Sequence, residues 1–253
     1  MNAQLSPAFL KAPLAHRALH GTGAPENSRA AIRRAITAGY GIEIDVQLSR
    51  DNLALVFHDD LLNRLTPADG PINTVTAAQA ATIPLKGGDE TIPTLSEVLD
   101  IVAGQVPLLI EIKDQDGDMG PNVGALESAT LTAVQGYDGP LAIMSFNPNS
   151  VADIAHRAPD RAVGLVSQNV DHPLSGLSAA AKDRLRAAHQ FESCGAVFLS
   201  HEAADLGAPH VAAIKAQGAP ILCWTVRSAA EEFTARKVAH NVTFEGYVAE
   251  IPG

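Results

Sequence analysis

Residues 41–48, GIEIDVQL, alternate Ile42, Ile44 and Val46 with Glu43 and Asp45. Read as a strand, the segment puts three branched apolar side chains on one face and two carboxylates on the other. A second stretch, PLLIEIKD, carries Glu111 and Lys113 two residues apart and so on one face. Three carboxylates gathered at neighbouring strand ends repel one another and are costly to bury. A hard divalent cation removes that cost, and oxygen ligands suit Mg²⁺ or Ca²⁺. Glu43, Asp45 and Glu111 therefore read as metal ligands, with one divalent cation, Mg²⁺ or Ca²⁺, as the expected cofactor. No cysteine or histidine cluster at zinc spacing is read to compete with them.

Arg17 and Lys113 add positive charge beside the carboxylates. A cation with Arg and Lys is what an anionic phosphoryl group needs for binding and for charge stabilisation in a transition state. His16 and His58 can each hold or release a proton near neutral pH, which supplies a general acid and a general base. Phe146 and Trp224, the only tryptophan, are expected at strand exits as an apolar wall facing an alcohol moiety. His20, His172 and His201 are read as loop or strand-exit histidines with no partner the sequence names, His201-Glu202 being placed where they could line the pocket. Glu26-Asn27 reads as helix-start chemistry, with Asn27 or Ser28 able to cap the first helix.

The elements that must position these groups recur as strand then helix. Strands are expected at 14–17, 41–46, 107–112, 141–145, 162–166, 195–199, 220–226 and 244–249. Helices are expected at 28–38, 95–103, 124–135, 149–157, 179–191, 208–217 and 229–236. Thr94 with Glu97, and Ser228 with Glu231, have the spacing of helix N-terminal caps. Eight alternating units make an α/β class, (β/α)₈ TIM barrel the leading fold, with reactive groups at the strands' C-terminal ends. A doubly wound sheet competes, but it wants a Gly-rich phosphate loop after its first strand, and none of the G-x-G-x-x-G type is present. Residues 52–59 read as an extra extended segment. Residues 60–93 form a small insertion after the second strand, with a short helix near 77–81. The whole of 1–253 is expected to be one barrel domain.

At 253 residues the chain can bury a large core, and 46% apolar with 18% charged residues is a globular balance. A net charge of −10 argues against a nucleic-acid partner, which requires a basic field. The N-terminus lacks a basic start followed by an apolar run, and no apolar run has the length of a membrane span. Cys194 and Cys223 sit in apolar, strand-like runs and are expected as buried free thiols. These features lead to the expectation of a cytoplasmic protein without a membrane anchor, acting on a small molecule.

The ordered series His16-Arg17, Pro25-Glu26-Asn27, Glu43-Ile44-Asp45-Val46, Val56-Phe57-His58-Asp59-Asp60 with Arg64, Ile92-Pro93-Thr94-Leu95, Glu111-Ile112-Lys113, Ser145-Phe146 and Trp224-Thr225-Val226 resembles the glycerophosphodiester phosphodiesterases. The resemblance runs from residue 14 to about 250. It implies a (β/α)₈ barrel with an insertion after the second strand. It also implies metal ligation by Glu43, Asp45 and Glu111, acid–base roles for His16 and His58, and Glu26 orienting Arg17. The implied reaction is hydrolysis of a glycerophosphodiester to glycerol 3-phosphate and an alcohol, with attack by the neighbouring substrate hydroxyl as a plausible first step. Three departures stand out: Ala18 where the family usually has glycine, a His16–Pro25 loop one residue longer than usual, and Ala249-Glu250 where the family's last strand commonly ends in Thr-Asp. Other classes are a non-catalytic metal- or phosphate-binding barrel, a phosphodiesterase for a different small diester, and a barrel aldolase or isomerase, for which Lys113 is the candidate lysine.

Overall fold

The computed structural model describes residues 3–171, 178–186 and 190–252; His172 lies outside them. Eight parallel strands close into a barrel: β1 (Leu14–Ala15), β2 (Gly41–Leu48), β4 (Leu108–Ile112), β5 (Leu141–Ser145), β6 (Ala162–Ser167), β7 (Phe198–Glu202), β8 (Ile221–Val226) and β9 (Asn241–Phe244). Closure is direct, because β1 pairs in parallel with both β2 and β9. A short ninth strand, β3 (Ala54–Val56), folds back antiparallel onto the end of β2.

The alternation in GIEIDVQL sets the layering. Ile42, Ile44 and Val46 face outward and pack with Ile32, Ala35, Leu95, Val98 and Val102. Those partners come from α1 (Arg29–Ala38) and α3 (Leu95–Val102). Each such side chain contributes about 1.5–3 kcal/mol by leaving water. The barrel interior is a separate cluster of Leu14, Leu109, Met144, Val166, Phe198 and Leu222. Gly164 is needed there, since a Cβ would collide with the Phe198 ring. Phe9, on a 3₁₀ turn at Pro7–Leu10 that the sequence reading did not place, joins the same cluster. Asn241 ties that turn down, donating from Nδ2 to the carbonyls of Phe9 and Ala12, each at 2.7 Å.

The remaining helices are α2 (Ala77–Ala80), α4 (Ala125–Ala133), α5 (Pro148–Arg157), α6 (Ala179–Arg186), α7 (Gln190–Ser193), α8 (Pro209–Ala216) and α9 (Ala229–Ala235). The start signals act as expected. Thr94 and Glu97 form a reciprocal capping box, and Ser28 and Ser228 accept from the backbone N–H groups of Ala31 and Glu231. Residues between β3 and α3 bury Phe57, Leu62, Leu65, Ile72 and Leu85 in a small core of their own.

Three strands depart most from the sequence reading, the others by at most two residues at an end. β7 begins three residues late, because Gly195 has φ +75° and turns the chain after α7. The first strand ends at Ala15, since Arg17 and Ala18 both have positive φ. The last strand is Asn241–Phe244, not 244–249. The apolar YVA that suggested the later strand follows Gly246, where φ is +78°.

Candidate active site

β2 and β4 lie in register with Asp45 opposite Glu111 and Glu43 opposite Leu109. Ligand oxygens of Glu43, Asp45 and Glu111 come within 4.8 Å of one another. All three residues are buried, at 2%, 1% and 6% exposure, so water cannot screen their charges. Lys113 reaches across two of them, 2.8 Å from Asp45 Oδ1 and 2.5 Å from Glu111 Oε1. Glu43 Oε2 accepts from the Arg17 backbone N–H at 2.9 Å.

Burial, then the charges of Asp45 and Glu111, push the Glu43 carboxyl well above the ordinary carboxylate range. Burial also opposes a charge on Asp45, but Lys113, His58 and Arg17 outweigh it and hold that carboxyl well below its ordinary value. Burial works against the Lys113 ammonium too, and Asp45 and Glu111 overcome it, so its pKa is raised. Lys113 pairs with Asp45 and Glu111 and Arg17 with Asp45, so the charge on Glu43 is the one left uncompensated. The all-oxygen donor set fits a divalent hard cation. The raised Lys113 pKa counts against imine chemistry, which needs a free amine.

Both sequence-predicted histidines stand on carboxylates. His16 Nδ1 donates to Glu245 Oε2 at 2.6 Å, and His58 Nδ1 donates to Asp59 Oδ1 at 2.6 Å. A charged carboxylate only accepts, so each ring carries a proton on Nδ1, and Nε2 is the nitrogen left to take or give a proton. The carboxylates are anchored in turn. Arg227 lies 2.8 Å from Glu245 Oε1, and Arg64 Nε is 2.5 Å from Asp59 Oδ2. Arg64 also bonds Glu26, which holds Arg17 Nη1 at 2.8 Å. Arg17 Nε, buried and without a hydrogen-bond partner, lies 3.7 Å from Asp45 Oδ2. The charge of Asp45 acts on His16, and that of His58 on Asp45, which ties both rings electrically to the carboxylate cluster. Desolvation by burial lowers the His16 pKa despite Glu245.

Phe146 and Trp224 meet edge to face with ring centroids 5.4 Å apart, against the barrel's interior cluster. Trp224 Nε1 donates to the Ser200 carbonyl at 3.2 Å. His201 does not line a pocket: its side chain is fully buried, with Nδ1 2.7 Å from Ser167 Oγ. Asn27 is not a helix cap. Ser28 takes that role, and the Asn27 side chain turns to Asp45.

The sequence reading missed Glu245. The chain leaves β9 at Phe244, so the acid at that exit is Glu245 and not Glu250 of Ala249-Glu250. The same reading found no histidine cluster at zinc spacing. Among the described residues the structure assembles one group of that composition, His16, His20 and Glu245, with ligand atoms within 4.8 Å. The H-x₃-H spacing of His16 and His20 was the available signal.

A model of the Glycerophosphoryl diester phosphodiesterase family matches residues 16–242. A glycerophosphodiester phosphodiesterase of Caldanaerobacter subterraneus subsp. tengcongensis is 32% identical over 61% of this chain and 66% of its own length. Another from Bacillus altitudinis is 37% identical over 39% of this chain. The chain thus spans 66% and 43% of these two relatives. Among solved structures, an Oleispira antarctica phosphodiesterase in complex with the product sn-glycerol-3-phosphate superposes with a TM-score of 0.76 at 25% identity, covering 94% of each chain.

Proposed function

Because the chain belongs to the glycerophosphoryl diester phosphodiesterase family across residues 16–242, we propose that it hydrolyses glycerophosphodiesters to glycerol 3-phosphate and an alcohol. The observation that supports this most is the pairing of a buried three-carboxylate cluster with two histidines whose Nδ1 atoms are both taken by acids.

Glu43, Asp45 and Glu111 would hold one divalent cation, Mg²⁺ or Ca²⁺. Bound there, the ion supplies charge stabilisation to a phosphate oxygen and lowers the pKa of a substrate hydroxyl. Arg17 and Lys113 bind the phosphoryl oxygens. Glu26 holds the guanidinium in place, and Lys113 has one N–H left after its two carboxylate contacts. One histidine accepts a proton at Nε2 from the attacking hydroxyl, and the other returns a proton to the leaving alcohol. His16 suits the base, since burial keeps its ring neutral at neutral pH. His58 then acts as the acid. Phe146 and Trp224 give the departing alcohol an apolar wall.

The test is glycerol 3-phosphate release from glycerophosphodiesters with choline, ethanolamine, inositol or glycerol head groups. Metal is removed with EDTA and Mg²⁺ or Ca²⁺ is then restored. Metal-restored turnover in the wild type, with loss of most turnover in His16→Ala and His58→Ala, is expected. Substantial turnover in both variants would reject the acid–base assignment.

A further inference from the structure

His20 sits in the loop that leaves β1, four residues after His16. The loop is held in shape by its own backbone: the His20 N–H donates to the Ala18 carbonyl, and Gly21 and Ala24 exchange hydrogen bonds, all at 2.9 Å. This brings His20 Nε2 to 3.6 Å from Glu245 Oε2, the oxygen that His16 Nδ1 meets at 2.6 Å. His20 Nε2 is itself buried and has no hydrogen-bond partner. A gap of 3.6 Å is too wide for a direct hydrogen bond. A cation 2.0–2.1 Å from each atom closes it, because tetrahedral ligands at that bond length stand about 3.3 Å apart. The two measured separations bracket that spacing.

We propose that His16, His20 and Glu245 form a second metal site, distinct from the Glu43–Asp45–Glu111 cluster and selective for zinc-class ions. The donor set decides the metal. Two imidazoles and one carboxylate suit Zn²⁺ and its transition-metal neighbours, while Mg²⁺ and Ca²⁺ prefer oxygen alone. Arg227, on the other oxygen of Glu245, leaves Oε2 as the ligand oxygen and fixes its direction. The consequence follows from the ring's two nitrogens. A zinc ion on His16 Nδ1 moves the ring proton to Nε2, and the lone pair that accepts the substrate proton is lost. Zinc-class ions therefore inhibit the enzyme at a site its activating cation does not use. The inhibitory half of this inference rests on the role proposed for His16; the binding half does not.

Zn²⁺ is titrated calorimetrically into protein saturated with Mg²⁺, and the ring ¹⁵N shifts of His16 are followed. One Zn²⁺ is expected to bind, with the His16 proton moving from Nδ1 to Nε2. His20→Ala, and His20→Asn as a second variant should the first not fold, should weaken binding by at least about 100-fold, since even indirect partners of a metal ligand are worth 10–100-fold. Asp45→Asn should retain it. Retention in both His20 variants with loss in Asp45→Asn would place the ion on the carboxylate cluster and overturn the proposal, as would no Zn²⁺ binding at all. Where turnover is measurable, the Zn²⁺ concentration that halves it should rise at least tenfold in the His20 variants, each compared with its own uninhibited rate. Binding and the tautomer shift in a protein that turns over no diester would uphold the metal site and reject the proposed activity.

Discussion

Asn27 grips Asp45 at both ends. Its Nδ2 donates to Asp45 Oδ2 at 2.9 Å, and its Oδ1 accepts from the Asp45 backbone N–H at 3.2 Å. Asn27 is buried and has φ +59°, a left-handed conformation that asparagine tolerates better than most residues. Asn27→Ala removes two buried hydrogen bonds and keeps an unfavourable backbone. A loss of about 2–4 kcal/mol is expected, from one unsatisfied buried group and the backbone strain together. Affinity for the divalent cation should fall about 10–100-fold, as for other residues that orient a metal ligand. Urea unfolding and a metal titration followed by thermal shift measure both. Loss of stability with unchanged metal affinity would make Asn27 a structural residue only.

Glu245 predicts a pH-dependent contribution. The hydrogen bond from His16, then the nearby His20 imidazole, hold its carboxyl far below the ordinary 4.5. The unfolded chain therefore takes up this proton first as pH falls. The contribution is whole above about pH 4.5 and drains away at lower pH, as the folded value is approached. Glu245→Gln keeps the shape and removes the charge. It should destabilise the protein by about 2 kcal/mol at pH 7, in the range of a hydrogen bond to a charged group. The deficit should shrink steadily from pH 5 to pH 3. Urea midpoints of both proteins across that range test the sign; a deficit that grows on acidification would refute it.

Much of this architecture was legible because period-two and period-3.6 patterns coincide with burial on both faces of β2 and β4. The alternation in GIEIDVQL placed the acids inward, and the register of the two strands then brought Asp45 opposite Glu111. What the sequence hid were pairings set by closure of the barrel. Glu245 meets His16 across 229 positions, and no local pattern connects them. Asn241 lies before the strand expected at 244–249, yet it is a fully buried strand residue whose amide serves the Phe9 and Ala12 carbonyls. Asn27 read as a cap because caps and buried clamps use the same short polar side chains.

Ala18 has φ +64° at a position where the resembled family usually has glycine. Its N–H donates to the Glu43 carbonyl at 2.9 Å, so the chain must pass through this conformation. A Cβ in the left-handed region costs roughly 1–2 kcal/mol, and glycine costs about 0.5–1 kcal/mol in unfolded-state entropy. Ala18→Gly should therefore raise stability by up to about 1 kcal/mol. The change in urea midpoint measures it. A loss of more than about 1 kcal/mol would show that packing of the buried Ala18 methyl outweighs the backbone strain.

Glu43 separates a metal site from a structural ion-pair network. Its carboxyl is driven well above its ordinary range by burial and by Asp45 and Glu111, so ionising it at neutral pH works against the fold. Glu43→Gln removes that repulsion and can still accept from the Arg17 N–H. In EDTA the variant should be more stable than the wild type at pH 8, and the advantage should fade as the pH drops toward 4.5, where the wild-type carboxylate is protonated as well. With Mg²⁺ or Ca²⁺ the order reverses. The wild type gains stability by binding the ion, and the variant, short of one anionic ligand, gains far less. Turnover should fall with it. If Glu43 were only a partner in a salt-bridge network, Glu43→Gln would be less stable in EDTA and the cation would shift neither protein. Thermal unfolding of the two proteins at pH 5 and pH 8, with and without the ion, distinguishes the cases.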